Sequence, residues 1–182
     1  MSTRGVALVL AANLFVLAAQ TPDDSREAKI AAALKVFVEA SALVAKGDTG
    51  SIQAAVKMLE SIEPVFEKYN DQMSLARTLV VHGGCLTSVG PPEAGLALMN
   101  RGLAIFRSLD YPPGQAGALV AIGSFYYKQN DFEHARDALE EARVQIEKHP
   151  VGSFDLPIYQ ALGNVYIALN DRTKEQIGRA HV

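Results

Sequence analysis

Between Leu119 and Ala142 the chain reads LVAIGSFYYKQNDFEHARDALEEA. Leu119, Ile122, Gly123 and Tyr126 fall at i, i+3, i+4 and i+7, the spacing of one buried face of a helix. A polar break, Lys128 to Asp131, follows, and then Phe132, Ala135, Leu139 and Ala142 line one side of a second helix. The pattern predicts an αα-hairpin with both inner faces apolar. Gly123 sits inside the first helix, where glycine costs roughly 1 kcal/mol against alanine. Close approach of the second helix, with Ala135 and Ala142 as small partners, would offset that cost.

The pattern returns at intervals of 40 residues, bringing Gly83, Gly123 and Gly163 to one position. Leu79, Leu119 and Tyr159 share another position, and Leu86, Tyr126 and Tyr166 a third. In the second helix Gly95 matches Ala135, Met99 matches Leu139 and Gly102 matches Ala142. An earlier copy has two extra residues in its turn: Phe37, Ala40, Ser41 and Val44, then Ala55, Leu59 and Ile62. A fixed period of this length marks a repeat array. The turns agree too: Lys46-Gly47-Asp48, Gly90-Pro91-Pro92, Gln129-Asn130-Asp131 and Leu169-Asn170-Asp171.

In chain order, a leading helix is predicted from Asp23 to Lys46, with a partner from Ser51 to about Tyr69. Pro64 should kink or break that partner near Ser61 to Pro64, because a mid-helix proline removes a hydrogen bond and clashes with the preceding turn. Helices over Gln72–Ser88 and Glu93–Leu109 form the second copy, and Asp110 to Gly114 connects it to the third. The third copy's second helix should expose Glu133, Arg136, Asp137, Glu140, Arg143 and Glu147, with Arg136–Glu140 and Arg143–Glu147 as i, i+4 pairs. His149 to Gly152 closes that copy. A fourth leading helix is expected from Leu156 to Leu169, capped by Asp155, and then a turn.

The order bulky, apolar, small, aromatic in the first helix, then small, bulky, small in the second, resembles the tetratricopeptide repeat. Leu119, Ile122, Gly123, Tyr126, Ala135, Leu139 and Ala142 carry the resemblance best; Glu147 stands where the family usually places a closing proline. The period exceeds the family's usual length of about 34. Longer copies of this kind are similar to those of kinesin light chains and of bacterial proteins that place such repeats before a caspase-like CHAT domain. The resemblance implies an all-α superhelix (solenoid) of stacked antiparallel hairpins, about three and a half repeats long. The copies would fall near 34–70, 74–110, 114–149 and, incompletely, 154–176. Its inner groove would be lined by the leading helices. The family's groove positions map here to Lys35, Arg77, Tyr127, Lys128, Gln160 and Asn164. The fuller Lys, Arg and Asn set of the family's carboxylate clamp is interrupted by Val80, Gly84 and Thr87.

Composition adds bounds. The 182 residues are 49% hydrophobic, enough for a sizeable core and unlike a disordered chain. A formal charge of −3 with scattered basic residues argues against a nucleic-acid binder. Residues 1–20, MSTRGVALVLAANLFVLAAQ, have the layout of a secretory signal peptide, with Arg4 before an apolar run from Gly5 to Ala19. The run is too short for a comfortable membrane span, which needs about 20 residues. An uncleaved anchor or a buried first helix is the alternative. The expectation is an exported bacterial protein, periplasmic or secreted, with no stable membrane span after cleavage and a repeat domain over 21–176. Ile177-Gly178-Arg179-Ala180-His181-Val182 reads as a translated sequencing adapter, so 177–182 is treated as a scar and the natural chain is expected to continue.

Candidate chemistry is sparse. Cys85 is the only cysteine, so no internal disulfide can form. His82 and Cys85 lie three apart on one helix and could make a Cys-His nucleophile, but no third group or oxyanion site is visible. A small packing residue beside Gly83 and Gly84 is the simpler role for Cys85. His134 and His149 have no ligand-spaced partner, and no HExxH, phosphate loop or CxxC pair occurs. The sequence therefore points to no catalysis, no cofactor, no metal and no nucleic acid. The expected function is a scaffold that docks a protein or peptide in its concave groove. The alternative is the regulatory N-terminal part of a larger enzyme, CHAT protease-like or signalling, whose catalytic domain is missing.

Overall fold

The computed structural model describes residues 25–148 and 155–180; for 155–156 and 171–180 only the helix path is described. The leader expected over 1–20, the connector His149–Gly152, the capping side chain of Asp155 and the last two residues lie outside the described residues. Seven helices follow one another among the described residues: α1 (Arg26–Lys46), α2 (Thr49–Lys68), α3 (Gln72–Val89), α4 (Pro92–Ser108), α5 (Pro112–Lys128), α6 (Phe132–Lys148) and α7 (Asp155–Ala180).

Local chemistry sets the boundaries. Backbone amides of Ala28, Ser51, Ser74 and His134 donate to the side chains of Ser25, Asp48, Asp71 and Asp131, satisfying first-turn donors that have no partner within the helix. Pro92 and Pro112 start α4 and α5, where a missing N–H costs nothing. Among the described residues the left-handed ones are Gly47, Asn70, Asp110 and Asn130, each just past a helix end. Gly47 needs no side-chain accommodation there, and Asn and Asp tolerate that conformation better than other residues.

Each odd-numbered helix up to α5 pairs with the next as a hairpin, and each hairpin stacks on its successor through α2–α3, α4–α5 and α6–α7. The backbones of successive leading helices also come close to one another (α1–α3, α3–α5, α5–α7), whereas those of successive trailing helices stand farther apart among the described residues and meet only through long side chains. The leading row is therefore the inner side of a curved stack, and the fold is an all-α helical-repeat superhelix. The core lies along it in two clusters, with the half-buried Ile105 packed against both. Leu59, Phe66, Leu75 and Leu79 fill the first part; Met99, Leu119, Leu139 and Ile158 fill the rest.

Two of the three repeated glycines do what their cost suggested. A Cβ on Gly83 would lie 2.5 Å from the Gly95 carbonyl oxygen, and one on Gly123 would lie 2.7 Å from Leu139 Cγ. Gly163 differs: it is exposed, and a Cβ there would meet nothing within 4 Å. Three further expectations are corrected. Pro64 does not break α2, which runs unbroken from Thr49 to Lys68. The proline is exposed while Ile62 and Phe66 on either side are anchored in the core. No turn forms at Leu169-Asn170-Asp171, because α7 continues to Ala180. After the comparable Asn130-Asp131 comes an apolar face that is buried by folding back. Arg172 to Gln176 offers no such face and consists mostly of good helix formers. Finally, Arg136 pairs with Asp137 rather than Glu140, while the Arg143–Glu147 pair forms at 2.6 Å.

Candidate functional site: the concave face

The inner face is built from repeat positions just beside the core. One row holds Lys35, Arg77 and Gly117; the next Val38, Val80, Val120 and Gln160; the next Ala42, Gly84, Ser124 and Asn164. Short side chains dominate the middle. A Cβ on Gly84 or Gly117 would meet nothing within 4 Å, so these glycines leave backbone bare to the groove instead of serving helix packing.

Two clefts open on this face. The first, of about 380 Å³, spans α1, α3 and α5, with Phe37, Val80 and Val81 as apolar walls, Tyr111 at one end and Arg77 as its one charged group. Arg77 is exposed and has no ion pair with a described residue. The second, of about 260 Å³, lies between α5 and α7 and gathers Tyr127, Lys128 and Asn164 beside Ser124 and Ala161. Of the six groove residues expected from the sequence, these three are thus brought together and Arg77 stands in the neighbouring cleft. Lys35 and Gln160 are exposed on their helices and line neither. Phe37, read from the pattern as core, is half-buried and walls the first cleft. Tyr111 comes from a connector, and connectors carry no repeat position by which to find it.

Charge is distributed unevenly between the rows. The leading helices α1, α3 and α5 carry Arg26, Lys29, Lys35, Lys46, Arg77 and Lys128 against only Glu27 and Glu39. The trailing helices α2, α4 and α6 carry nine carboxylates, five of them on α6, against seven basic residues. Of these six cations, Lys35, Arg77 and Lys128 stand at the groove positions.

His82 and Cys85 lie elsewhere. His82 Nδ1 meets Glu63 Oε1 at 2.5 Å, across the α2–α3 joint, with both side chains largely buried. Cys85 is buried in the core, and that burial pushes its thiol pKa up, toward the unreactive protonated form. Among the described residues no group of three or more His, Cys, Asp or Glu is arranged to hold a metal. No described helix is long and apolar enough to cross a membrane.

No family model and no curated protein matches the chain. Among solved structures, BtubC (BKLC) from P. vanneervenii superposes with a TM-score of 0.49 at 16% identity, over 85% of this chain and 71% of that one. Likeness at that level carries no argument about function.

Proposed function

We propose that the chain is a tetratricopeptide-type scaffold whose concave face holds an extended peptide segment bearing an apolar side chain next to an acidic group. The observation that carries this reading is the cleft between α1, α3 and α5: an apolar slot with one exposed guanidinium and no carboxylate to neutralise it. The apolar side chain would enter between Phe37, Val80 and Val81, and Arg77 would donate to both oxygens of a carboxylate in a bidentate pair. Lys35 and Lys128 extend the same sign along the groove, favouring encounter with an acidic segment. The bare backbone at Gly84 and Gly117 lets a peptide main chain approach closely. The reading assigns the chain no catalytic step.

Titration with fluorescent ten-residue peptides tests it. Peptides that pair Leu or Phe with Asp or Glu should bind, weaken as salt rises, and lose at least tenfold on Arg77→Glu. Peptides with Lys in place of the acids should not bind. Equal binding of both sets, or indifference to Arg77→Glu, would refute the reading.

A further inference from the structure

A larger hollow, of about 580 Å³, adjoins the Arg77 cleft on the seam between α1 and α3, toward the N-terminal ends of both helices. Its apolar walls are Ile30 and Leu34 of α1 and Met73 of α3, and Leu109, just past α4, closes one side. Leu34 and Leu109 are 39% and 40% exposed, so the fold itself leaves these walls uncovered. On α1, Ile30, Leu34 and Phe37 fall at i, i+4 and i+7, and on α3 Met73, Arg77 and Val80 do the same. Each set is one side of its helix. The two hollows are therefore consecutive along one trough, and Arg77 stands about a turn from each.

The span between the two apolar seats selects a peptide conformation. Met73 and Val80 are seven residues apart on α3, about 10 Å along its axis. A β-extended peptide presents alternate side chains to one face, at about 7 or 13 Å, and neither distance fits. A polyproline II chain turns once in three residues, so side chains i and i+3 point the same way about 9 Å apart, which does fit.

We propose that the trough holds a polyproline II stretch of a partner protein carrying two apolar side chains three residues apart, with an acidic residue between them. One apolar group would enter between Phe37, Val80 and Val81, the other between Ile30, Leu34 and Met73, and the acid would meet Arg77. Glu27 and Asp71 also line the outer hollow, against Arg26 alone, whose guanidinium donates to the Tyr69 carbonyl. That end gives an acidic residue no advantage, so the acid belongs between the anchors. The trough thus adds a second anchor and a spacing to the peptide reading of the groove, on which this rests.

Fluorescent ten-residue peptides with blocked ends, titrated into the full chain, test it. A peptide with the core Leu-Asp-Ser-Leu should bind at least tenfold more tightly than one with Leu-Asp-Ser-Ser. Leu-Asp-Pro-Leu should bind at least as tightly as Leu-Asp-Ser-Leu, because proline is preset for that conformation. Leu34→Gln should erase the advantage of the second leucine. Leu34 is exposed, so the variant should keep the parent's circular dichroism, and the peptide comparison on the parent needs no variant. Equal binding of the one- and two-leucine peptides to the parent would overturn the second anchor while leaving the Arg77 cleft as a site. Tighter binding by leucines two, four or seven apart would overturn the polyproline II spacing. Binding by none of the peptides would refute the peptide reading and the second anchor together.

Discussion

At the scale of single residues, the glycines divide into those that let backbones close up and those that leave space. Gly83 and Gly95 face each other, each with its virtual Cβ 2.5 Å from the other's carbonyl oxygen. Backbone cannot swing aside as a side chain can, so Gly83→Ala should force α3 and α4 apart and cost about 1–3 kcal/mol. Gly163→Ala has nothing to displace, and exchanging glycine for alanine inside a helix should gain about 0.5–1 kcal/mol. Urea denaturation of the two variants checks both, and equal midpoints would contradict the packing described. Gly123→Leu should be destabilising by a similar 1–3 kcal/mol through overpacking against Leu139, read as a lowered melting temperature. The role of Gly83 and Gly123 was legible in the sequence, because small and bulky residues recur at fixed offsets in the helix that follows each of them. Gly163 holds the same repeat position, but its copy reads as incomplete, with no second apolar face after it to fill the space beside it.

At the scale of elements, the α6–α7 joint is held by a polar network in which Arg143 lies between two carboxylates. It donates to Glu140 at 2.7 Å and to Glu147 at 2.6 Å, and Tyr166 donates to Glu140 at 2.6 Å. The Tyr166 hydroxyl, and after it the Arg143 guanidinium, hold the Glu140 carboxyl below its usual range. A carboxylate depressed by folding contributes stability above its ordinary range, and the contribution is lost as pH falls through the depressed value. Conversely, Glu140 holds the Tyr166 phenol above its usual range, so that contribution is present below the ordinary tyrosine range and lost as pH rises through the raised value. Amide protection along α7, relative to the intrinsic exchange rate at each pH, should therefore fall below about pH 4, and Tyr166→Phe should remove much of that dependence. An acid profile identical in parent and variant would count against the network. This joint was poorly legible in advance. The helical positions of Glu140 and Arg143 were plain, but i, i+4 spacing offered Arg136 a partner that a nearer carboxylate, Asp137, takes. The groove was more legible: Tyr127, Lys128 and Asn164 follow from repeat position, whereas the apolar walls around Arg77 depend on how three helices converge.

At the scale of the whole molecule, the stack is a line of nearest-neighbour joints, and each joint has its own fastening. Glu67 with Arg101 and Arg107 with Glu141 join successive trailing helices at equivalent positions, 2.6 Å apart in both cases, with the charges exchanged. Both are about half exposed, and such pairs contribute only about 0–1 kcal/mol each. They favour register more than stability, since a stack slipped by one repeat would bring like charges together. The fastening at α2–α3 is of another kind. His82, with Nδ1 protonated, donates to Glu63 where both are largely shielded from water. Removing one partner from a shielded pair leaves the other with an unmet desolvation cost of about 1–3 kcal/mol. In a quasi-one-dimensional array that loss should act locally, because each hairpin touches only its neighbours. Glu63→Ala is therefore expected to speed amide exchange in α1 and α2 while α5 and α6 keep their protection, and Glu63→Gln, which can still accept the bond, should restore much of the difference. Exchange that quickened equally in all helices would mean that the chain unfolds as one cooperative unit and that the joints are not separable.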